Sequence, residues 1–548
     1  MRNEQYRASG RVLKVVCQLG LLALASSSLA TRAQELPPRA ELITEVQHAV
    51  SQPVRDIPTE RAVGVQSIPL RRPIPPPTVS PQDPIVQRTT TSATSSNTTA
   101  GMNIAGINAD GYIPPDTNLS VGRAFTGSNG QVVQIVNVEY AIYDKSTGSQ
   151  IKAPSAIHTI FKALGTSMCA TQDGGDPVVL YDKIHDRWLI SQLAYNSSLS
   201  NSLVCIAVSK SPDATGSYNL YSFSFGRNFP DYPKFGVWPD GYYFSANTFR
   251  KGVSFAGAQA CAFNSSAMLA GTAASGICFQ LSSSVASLLP SDLDGSTMPP
   301  SGEPNFYLNF VTNGLNLYRF HVASYTTTSG STFSGPYSVA GVAAFSPACG
   351  GGRCVPQPGT SQLLDSLGDR LMFRLAYRNF GTATSPNESL VVNHSVKAGS
   401  ASNQTGIRWY EIRNPAGTPS VYQSSTYAPG TTTYRWMGSI AQDKVGDIAV
   451  GYSVSDPTPT NILYPGIRYA ARLYTDTTPL GTLEAESTIV NGAASQTGSY
   501  GYRWGDYSSM SIDPDDDCTF WYTTEYIVSG GSFNWSTYIG KFKLSACQ

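Results

Sequence analysis

The sequence has 548 residues, 37 basic and 37 acidic side chains, and no formal net charge at pH 7. Charged residues make up 14% of the chain and aromatic residues 11%, whereas about 25% charged residues are usual for a soluble domain. This balance suits an exported all-β protein. It excludes a nucleic-acid-binding protein, which would carry a basic excess.

Residues 1–33 have the pattern of an export signal. Four basic side chains precede the apolar stretch 15–30, and Ala30 and Ala33 offer cleavage points. The alternative is a membrane anchor, but the apolar stretch is shorter than the roughly 20 residues that cross a bilayer. We therefore predict a secreted, periplasmic or cell-surface protein with no membrane span after signal removal.

Residues 34–100 predict a disordered linker. Residues 55–87 are rich in Pro, and residues 89–99 are almost entirely Ser and Thr. Such segments bury too little apolar surface to offset the entropy of ordering the chain. Within this linker, residues 41–52 are compatible with a short amphipathic helix.

In the rest of the chain, residues 101–548, one short sequence pattern occurs four times; we call it the repeated phrase. Each copy has a polar start, an apolar strand, an Asp-containing turn and an aromatic strand; the copies begin at Gly175, Lys234, Arg435 and Arg503. Recurring hairpins predict an array of similar β-units, and an array that closes on itself is a β-propeller. At about 55–65 residues per blade we predict one propeller of seven blades, with eight as the alternative. Residues 155–164 predict one short inserted helix.

Eight cysteines remain when Cys17 of the export signal is set aside. They are Cys169, Cys205, Cys261, Cys278, Cys349, Cys354, Cys518 and Cys547. An even number in an exported chain favours disulfides, and we predict that sequential neighbours pair, because such bridges would staple single blades or loops. A zinc site is the competing interpretation, but CxxC spacing is absent. We therefore predict that the protein requires no cofactor; bound Ca²⁺ is the alternative.

The start of each innermost strand is the predicted functional position. In a propeller these strands line the central channel, so residues that start them meet at one mouth. The candidate catalytic residues are Asp116, Asp176 and Asp506. The candidate substrate-binding residues are Lys234, Arg370, Arg435, Arg503 and Trp238. Converging carboxylates beside cations are how a glycosidase builds its acid and its nucleophile or base.

Other interpretations of the same residues stay open. An Asp at the start of a strand often only caps a turn by accepting backbone N–H bonds. The same oxygens could hold Ca²⁺ at the mouth. The tryptophans that follow arginines could stack on sugar rings, or they could pack between blades with the arginine laid on a ring.

Several phrases of the chain resemble known proteins. The hairpin at 511–521 resembles the Asp-box of sialidases, whose Asp has a structural role. The phrases at 114–118, 175–182, 232–242, 366–370 and 503–507 resemble a family of exported bacterial β-propeller proteins of unsettled activity. The resemblance covers nearly all of residues 110–548. It implies the fold and the compartment, and it does not imply a reaction.

Two functions follow as hypotheses. The first is an exported propeller that binds an extracellular polysaccharide or cell-surface glycan at one mouth, with glycoside hydrolysis by paired carboxylates. The second is a non-enzymatic adhesion or interaction propeller, stabilised by calcium. The sequence contains no phosphate-binding Gly-Lys-Ser/Thr loop, no Gly-x-Ser-x-Gly elbow and no His-Glu-x-x-His helix, so phosphoryl transfer, serine esterase and zinc protease activities lose their usual support.

Overall fold

The computed structural model describes residues 38–64, 66–67, 71, 82–90, 97–399 and 403–547. The chain divides into the units Met1–Pro37 and Pro38–Gln548, and all described residues belong to the second. The predicted export signal therefore lies outside the described residues. Among the residues described, no helix is both long enough and apolar enough to cross a membrane.

Strand pairing arranges the described chain into seven four-stranded antiparallel units, numbered here in chain order of their first strands. Unit 1 contains Asn118–Val121, Gln131–Val136, Glu139–Asp144 and Gln150–Ala156. Unit 2 contains Val178–Asp182, Arg187–Tyr195, Ser202–Ser209 and Tyr218–Gly226. Unit 3 contains Asn228–Trp238, Gly241–Arg250, Ser254–Phe263 and Ser275–Gln280.

The remaining units repeat this pattern. Unit 4 contains Leu289–Leu293, Asn305–Val311, Gly314–His321 and Thr332–Ser338. Unit 5 contains Met372–Asn379, Glu388–Lys397, Thr405–Arg413 and Ser420–Tyr427. Unit 6 contains Tyr434–Gln442, Ile448–Asp456, Leu463–Arg472 and Ser487–Val490. Unit 7 contains Ser509–Ile512, Thr519–Ile527, Trp535–Leu544 and Asn97–Asn108.

The units form a closed ring. The first-named strand of each unit is its inner strand; each inner strand contacts that of the next unit, and the inner strand of unit 7 contacts that of unit 1. The outer strand of unit 7, Asn97–Asn108, comes from the N-terminal side of the ring, so the two ends of the ring are joined by strand pairing. Closure of this kind removes long free sheet edges. The predicted all-β propeller is confirmed.

Burial on both faces explains the apolar inner strands. Every residue of Val178–Asp182 is buried, because neighbouring units cover both faces of each sheet. All seven tryptophans are buried as well: Trp188, Trp238, Trp409, Trp436, Trp504, Trp521 and Trp535. Their rings pack inside the protein, which matches the packing interpretation of the Arg-Trp pairs.

Several stretches of the predicted linker are strands, and Ala40–Val50 is the longest that lies wholly within it. Residues Ala40–Val50 pair with the outer strand Tyr218–Gly226 of unit 2 on one side and with Ser275–Gln280 of unit 3 on the other. The helix predicted within 41–52 is therefore wrong, and this part of the linker is ordered. Two unpaired sheet edges offer the segment backbone hydrogen bonds on both sides, and this tertiary pairing overrides its local pattern.

The remaining elements are short. The predicted inserted helix is a 3-10 helix, Ile157–Leu164. The others are the 3-10 turns Val54–Asp56 and Ala348–Gly351, the α-helices Met168–Thr171 and Ser265–Ala270, the strand pairs Gln66–Ser67 with Tyr112–Ile113 and Arg353–Gln357 with Thr360–Asp365, and Val86–Gln87 beside unit 5.

Four disulfides join sequential neighbours, as predicted: Cys169–Cys205, Cys261–Cys278, Cys349–Cys354 and Cys518–Cys547.

Replacing both Cys518 and Cys547 by Ser should lower the free energy of unfolding by about 3–4 kcal/mol, because the bridge closes a loop of 29 residues. The matched Cys349 and Cys354 double variant should lose only about 2 kcal/mol, since its loop has a separation of 5. Urea denaturation of both variants measures the difference, and an equal loss would contradict this account.

Candidate functional site

The residues that lead into the inner strands meet at one end of the channel, here called the mouth. In each of the seven units one of these residues has a positive φ although it is not glycine: Asp116 (48°), Asp176 (51°), Tyr232 (56°), Ser287 (52°), Leu367 (44°), Met437 (55°) and Asp506 (56°). This backbone conformation is uncommon for residues with a side chain, and Asp tolerates it better than most. The same turn thus recurs in all seven units, and in units 1, 2 and 7 the residue that it places at the mouth is an aspartate.

Lys234 of unit 3 lies at the centre of these residues. Its Nζ is 3.5 Å from the ring centroid of Tyr232 and 3.4 Å from that of Tyr507, and it donates to the carbonyl of Pro233 at 2.9 Å. Lys234 is fully buried. Burial lowers its pKa well below the usual range, while the charges of Asp176 and Asp116 oppose that shift. The mouth is therefore built around a buried amine in an aromatic cage.

Asp176 ties three units together beside this amine. Its Oδ2 accepts hydrogen bonds from the backbone N–H of Tyr232 at 3.0 Å and from the hydroxyl of Tyr507 at 2.9 Å. Burial raises the pKa of Asp176, and Lys234 and the Tyr507 hydrogen bond act against that rise. The residue does not simply cap its own turn, because both of these donors belong to other units.

Asp116 and Asp506 lie side by side across the seam between units 1 and 7. The N–H of Asp116 donates to the carbonyl of Gly505 at 2.9 Å, and Arg503 donates to Asp506 Oδ2 at 2.8 Å. Oδ1 of each carboxyl is buried without a hydrogen-bond partner in the described part of the chain. Burial, and then the negative charges of Asp506 and Asp176, raise the pKa of Asp116 well above its usual range. Asp116 is therefore the carboxyl group of this pair whose surroundings oppose its ionisation.

Two of the predicted cations are also at the mouth, and each is ion-paired. Arg370 donates from Nε to Asp369 Oδ1 at 2.9 Å and lies over the Tyr232 ring, 4.5 Å from its centroid. Arg503 is paired with Asp506. These guanidinium groups balance carboxylates of the mouth.

Four further groups complete the site, and no candidate list from the sequence contained them. Tyr232 and Tyr507 form the cage, Asp231 pairs with Arg71 at 3.0 Å, and Glu525 accepts from the N–H of Gly505. Burial raises the pKa of Glu525 well above its usual range. The two tyrosines could have been found, because they stand beside Lys234 and Asp506 in the recurring phrase; Glu525 gives no comparable signal. We call the full set the mouth cluster: Asp116, Asp176, Asp231, Tyr232, Lys234, Asp369, Arg370, Arg503, Asp506, Tyr507 and Glu525.

Arg435 lies outside the mouth cluster, so its predicted role in substrate binding loses its basis. Its Nε is 2.9 Å from Glu486 Oε2, which also accepts from the Tyr452 hydroxyl at 3.0 Å and pairs with Arg468. Burial opposes ionisation of Glu486, but the two arginines outweigh it and hold its pKa at about 2. Arg435 is a structural ion-pair partner within unit 6.

Replacing Glu486 by Gln should lower the free energy of unfolding by about 3 kcal/mol at pH 7, because a fall in pKa from 4.5 to about 2 measures that much stabilisation of the carboxylate. A lowered pKa stabilises the fold above about pH 4.5, and this stabilisation is lost as the pH falls towards 2. The difference from wild type should therefore shrink below pH 4.5. Denaturant titrations at pH 7 and pH 3 test this, with exposed Glu41→Gln as the control; a pH-independent loss would contradict it.

Trp238 also lies away from the mouth. It ends the inner strand of unit 3, at the turn opposite the mouth, and its indole N–H donates to the carbonyl of Glu303 at 3.0 Å. The ring packs against Tyr377, 4.7 Å between centroids. Its predicted use in binding a sugar is not supported, because the ring is buried in the protein.

Farther along the channel from the mouth, buried ion pairs fill the interior. Arg374 donates from Nε to Asp292 at 2.8 Å and from another nitrogen to the carbonyl of Met510 at 2.9 Å, and it pairs with Asp294. In the described ranges, no group of three or more His, Cys, Asp or Glu residues could hold a metal ion.

Comparisons with known proteins add little beyond the geometry. No protein-family model matches the chain, and no curated protein matches it. Among solved structures, an α-L-arabinanase of Penicillium chrysogenum has a TM-score of 0.36 at 8% identity, covering 82% of this chain and 100% of that one. The α-L-arabinofuranosidase of Fusarium graminearum scores 0.35 at 9% identity, covering 82% and 99%. The endo-arabinase of Bacteroides thetaiotaomicron scores 0.25 at 13% identity, covering 55% and 94%. Similarities this distant assign no activity.

Proposed function

We propose that this protein is an exported β-propeller that binds an extracellular glycan at the mouth cluster and hydrolyses a glycosidic bond there. One observation supports this most directly: the buried carboxyl of Asp116 adjoins the ion-paired carboxylate Asp506, and burial together with the negative charges of Asp506 and Asp176 raises the pKa of Asp116. Glycoside hydrolysis needs such a pair, one group to protonate the leaving oxygen and one to act as nucleophile or base.

The roles follow from the environments. Asp116 donates its proton to the glycosidic oxygen as the bond from that oxygen to the anomeric carbon breaks. Asp506 or Asp176 stabilises the developing positive charge and, as the base, takes a proton from the water molecule whose oxygen forms the new bond to the anomeric carbon. Lys234, Arg370 and Arg503 limit the electrostatic cost of bringing the carboxylates together. Export is supported by four disulfides, which persist in oxidising compartments.

A second candidate is a non-enzymatic adhesion or interaction propeller, and the burial of the mouth cluster favours it. Asp116 is 1% exposed, Asp176 8% and Lys234 0%, and their bonds join units 1, 2, 3 and 7. In this proposal the cluster locks the ring together, and a partner binds elsewhere on the surface. Stabilisation by calcium stays a prediction.

A screen of the mature protein separates the two proposals. Glycan-array binding and release of reducing sugar from soluble polysaccharides should both be positive if the mouth hydrolyses a glycan. Binding without release would favour the second candidate. Release that persists unchanged in Asp116→Asn and Asp506→Asn would contradict the assignment of the reaction to the mouth.

A further inference from the structure

A groove on the face opposite the mouth exposes aromatic and aliphatic side chains. It lies between units 5 and 6, beside the turns that follow their inner strands, and has a volume of about 300 Å³. Tyr422 is 52% exposed, Tyr474 56% and Leu480 53%, and all three line it. Large apolar side chains gathered at one concave site indicate a binding surface rather than isolated exposure. We call this site the tyrosine groove.

One wall of the groove contains an ion pair between the partly exposed Arg413 and the buried Glu411. The guanidinium of Arg413 lies 5.1 Å from the ring centroid of Tyr422 and 5.4 Å from that of Phe380. Arg413 Nε donates to Glu411 Oε1 at 2.6 Å, and Glu411 is 1% exposed. Glu411 therefore fixes the guanidinium that lies against the exposed ring of Tyr422.

A glycine connects the two halves of the groove. A Cβ at Gly446 would be 4.0 Å from the Phe380 ring and 3.5 Å from the Cβ of Tyr474, so Phe380 and Tyr474 flank the same point of the backbone. The aromatic lining thus continues from Tyr422 through Phe380 to Tyr474, along one surface.

The guanidinium groups of the groove are already hydrogen-bonded within the protein. Glu411 neutralises Arg413, and the other guanidinium that lines it, Arg472, donates to the carbonyl oxygens of Pro479 and Thr482. An anionic ligand would have to displace these internal hydrogen bonds in order to pair with either guanidinium group. Flat aromatic faces beside satisfied polar groups suit the apolar faces and hydroxyl edges of an uncharged sugar.

We propose that the tyrosine groove binds a neutral polysaccharide, with sugar rings stacked on Tyr422 and Tyr474. This inference rests on the proposed function only in taking a glycan as the ligand, because the groove and the mouth lie on opposite faces of the ring. It gives the protein a means of holding a polymer that is independent of the mouth carboxylates.

Titration calorimetry of the mature protein with soluble arabinan, galactan, xylan and laminarin tests the proposal. At least one should bind, and Tyr422→Ala and Tyr474→Ala should each weaken its binding about tenfold, as expected for an aromatic residue that contributes strongly to binding. Tyr500→Ala, a control at a tyrosine 43% exposed outside the groove, should bind like wild type. Affinity should hardly change between low and high salt, because no ion pair to the ligand is involved.

The experiments distinguish an error in the groove proposal from an error in the mouth proposal. Asp506→Asn should keep polysaccharide affinity while hydrolysis falls, and the Tyr422 and Tyr474 double variant should keep hydrolysis of short oligosaccharides. Polysaccharide affinity lost in Asp506→Asn and intact in the double variant would overturn the groove proposal and leave the mouth proposal standing. Lack of binding to every neutral polysaccharide, or binding only to anionic polygalacturonate, would also overturn it.

Discussion

Replacing Asp506 or Asp176 by Asn should lower the rate of polysaccharide hydrolysis by at least about 10²–10⁴-fold, the contribution of one positioned proton-transfer group. The amide keeps the shape of the side chain and can still accept one hydrogen bond, so the folded state should persist. Reducing-sugar release at saturating substrate measures the effect, and calorimetric melting on the same samples shows whether the fold is retained.

Asp182→Asn is the matched control for this experiment. Asp182 ends the same inner strand, Val178–Asp182, that Asp176 precedes, and it accepts from the backbone N–H groups of Ile184 and His185 at 2.9 and 3.1 Å. It lies at the end of the strand away from the mouth, so hydrolysis should be unchanged. Full activity in both Asp506→Asn and Asp176→Asn would remove the catalytic proposal and leave the non-enzymatic one.

Replacing Lys234 by Met should lower the free energy of unfolding by about 3–5 kcal/mol, because removing one partner from a buried charged network leaves the others uncompensated. The lysine lowers the pKa of Asp116 and of Asp176, so its loss raises both further. Where a folded carboxyl has a raised pKa, the folded state binds more protons than the unfolded state, and stability falls as the pH rises. The loss should therefore be larger at pH 8 than at pH 5.

Urea titrations at both pH values measure this effect. Exposed Lys210→Met is the control and should change stability by less than about 0.5 kcal/mol at either pH. A loss in Lys234→Met that is small, or that grows towards acidic pH, would show that the ammonium does not compensate the mouth carboxylates.

Much of the fold follows from local pattern. The recurring hairpin predicts the propeller because each unit has two apolar faces, and neighbouring units of the same kind can cover both of them. The disulfides were predictable for a related reason, since bridges between sequential cysteines close short loops; Cys261 and Cys278 lie directly opposite each other on neighbouring strands. The same reasoning places Asp116, Asp176, Lys234 and Asp506 at the mouth, because each has the same position relative to an inner strand.

Residues outside the repeat could not be placed in this way. Arg435 opens a copy of the phrase, yet Glu486, 51 residues later, draws it into an ion pair. Ala40–Val50 has the sequence pattern of a linker, but in the structure it is a strand because two sheet edges pair with it. Glu525 reaches the mouth from the second strand of unit 7 rather than from an inner strand.

The sequence by itself determined the repeating unit and the positions that meet at the mouth, because those depend on spacing along the chain; the export signal stays a prediction. Only the tertiary structure decided which side chains are buried, paired or exposed there. The amine of Lys234 lies against the ring of Tyr507, which is 273 positions away in a chain of 548. Tyr422 and Tyr474 line one groove because units 5 and 6 are neighbours in the ring. Burial and charge compensation are set by contacts distant in sequence, and these contacts govern protonation and access.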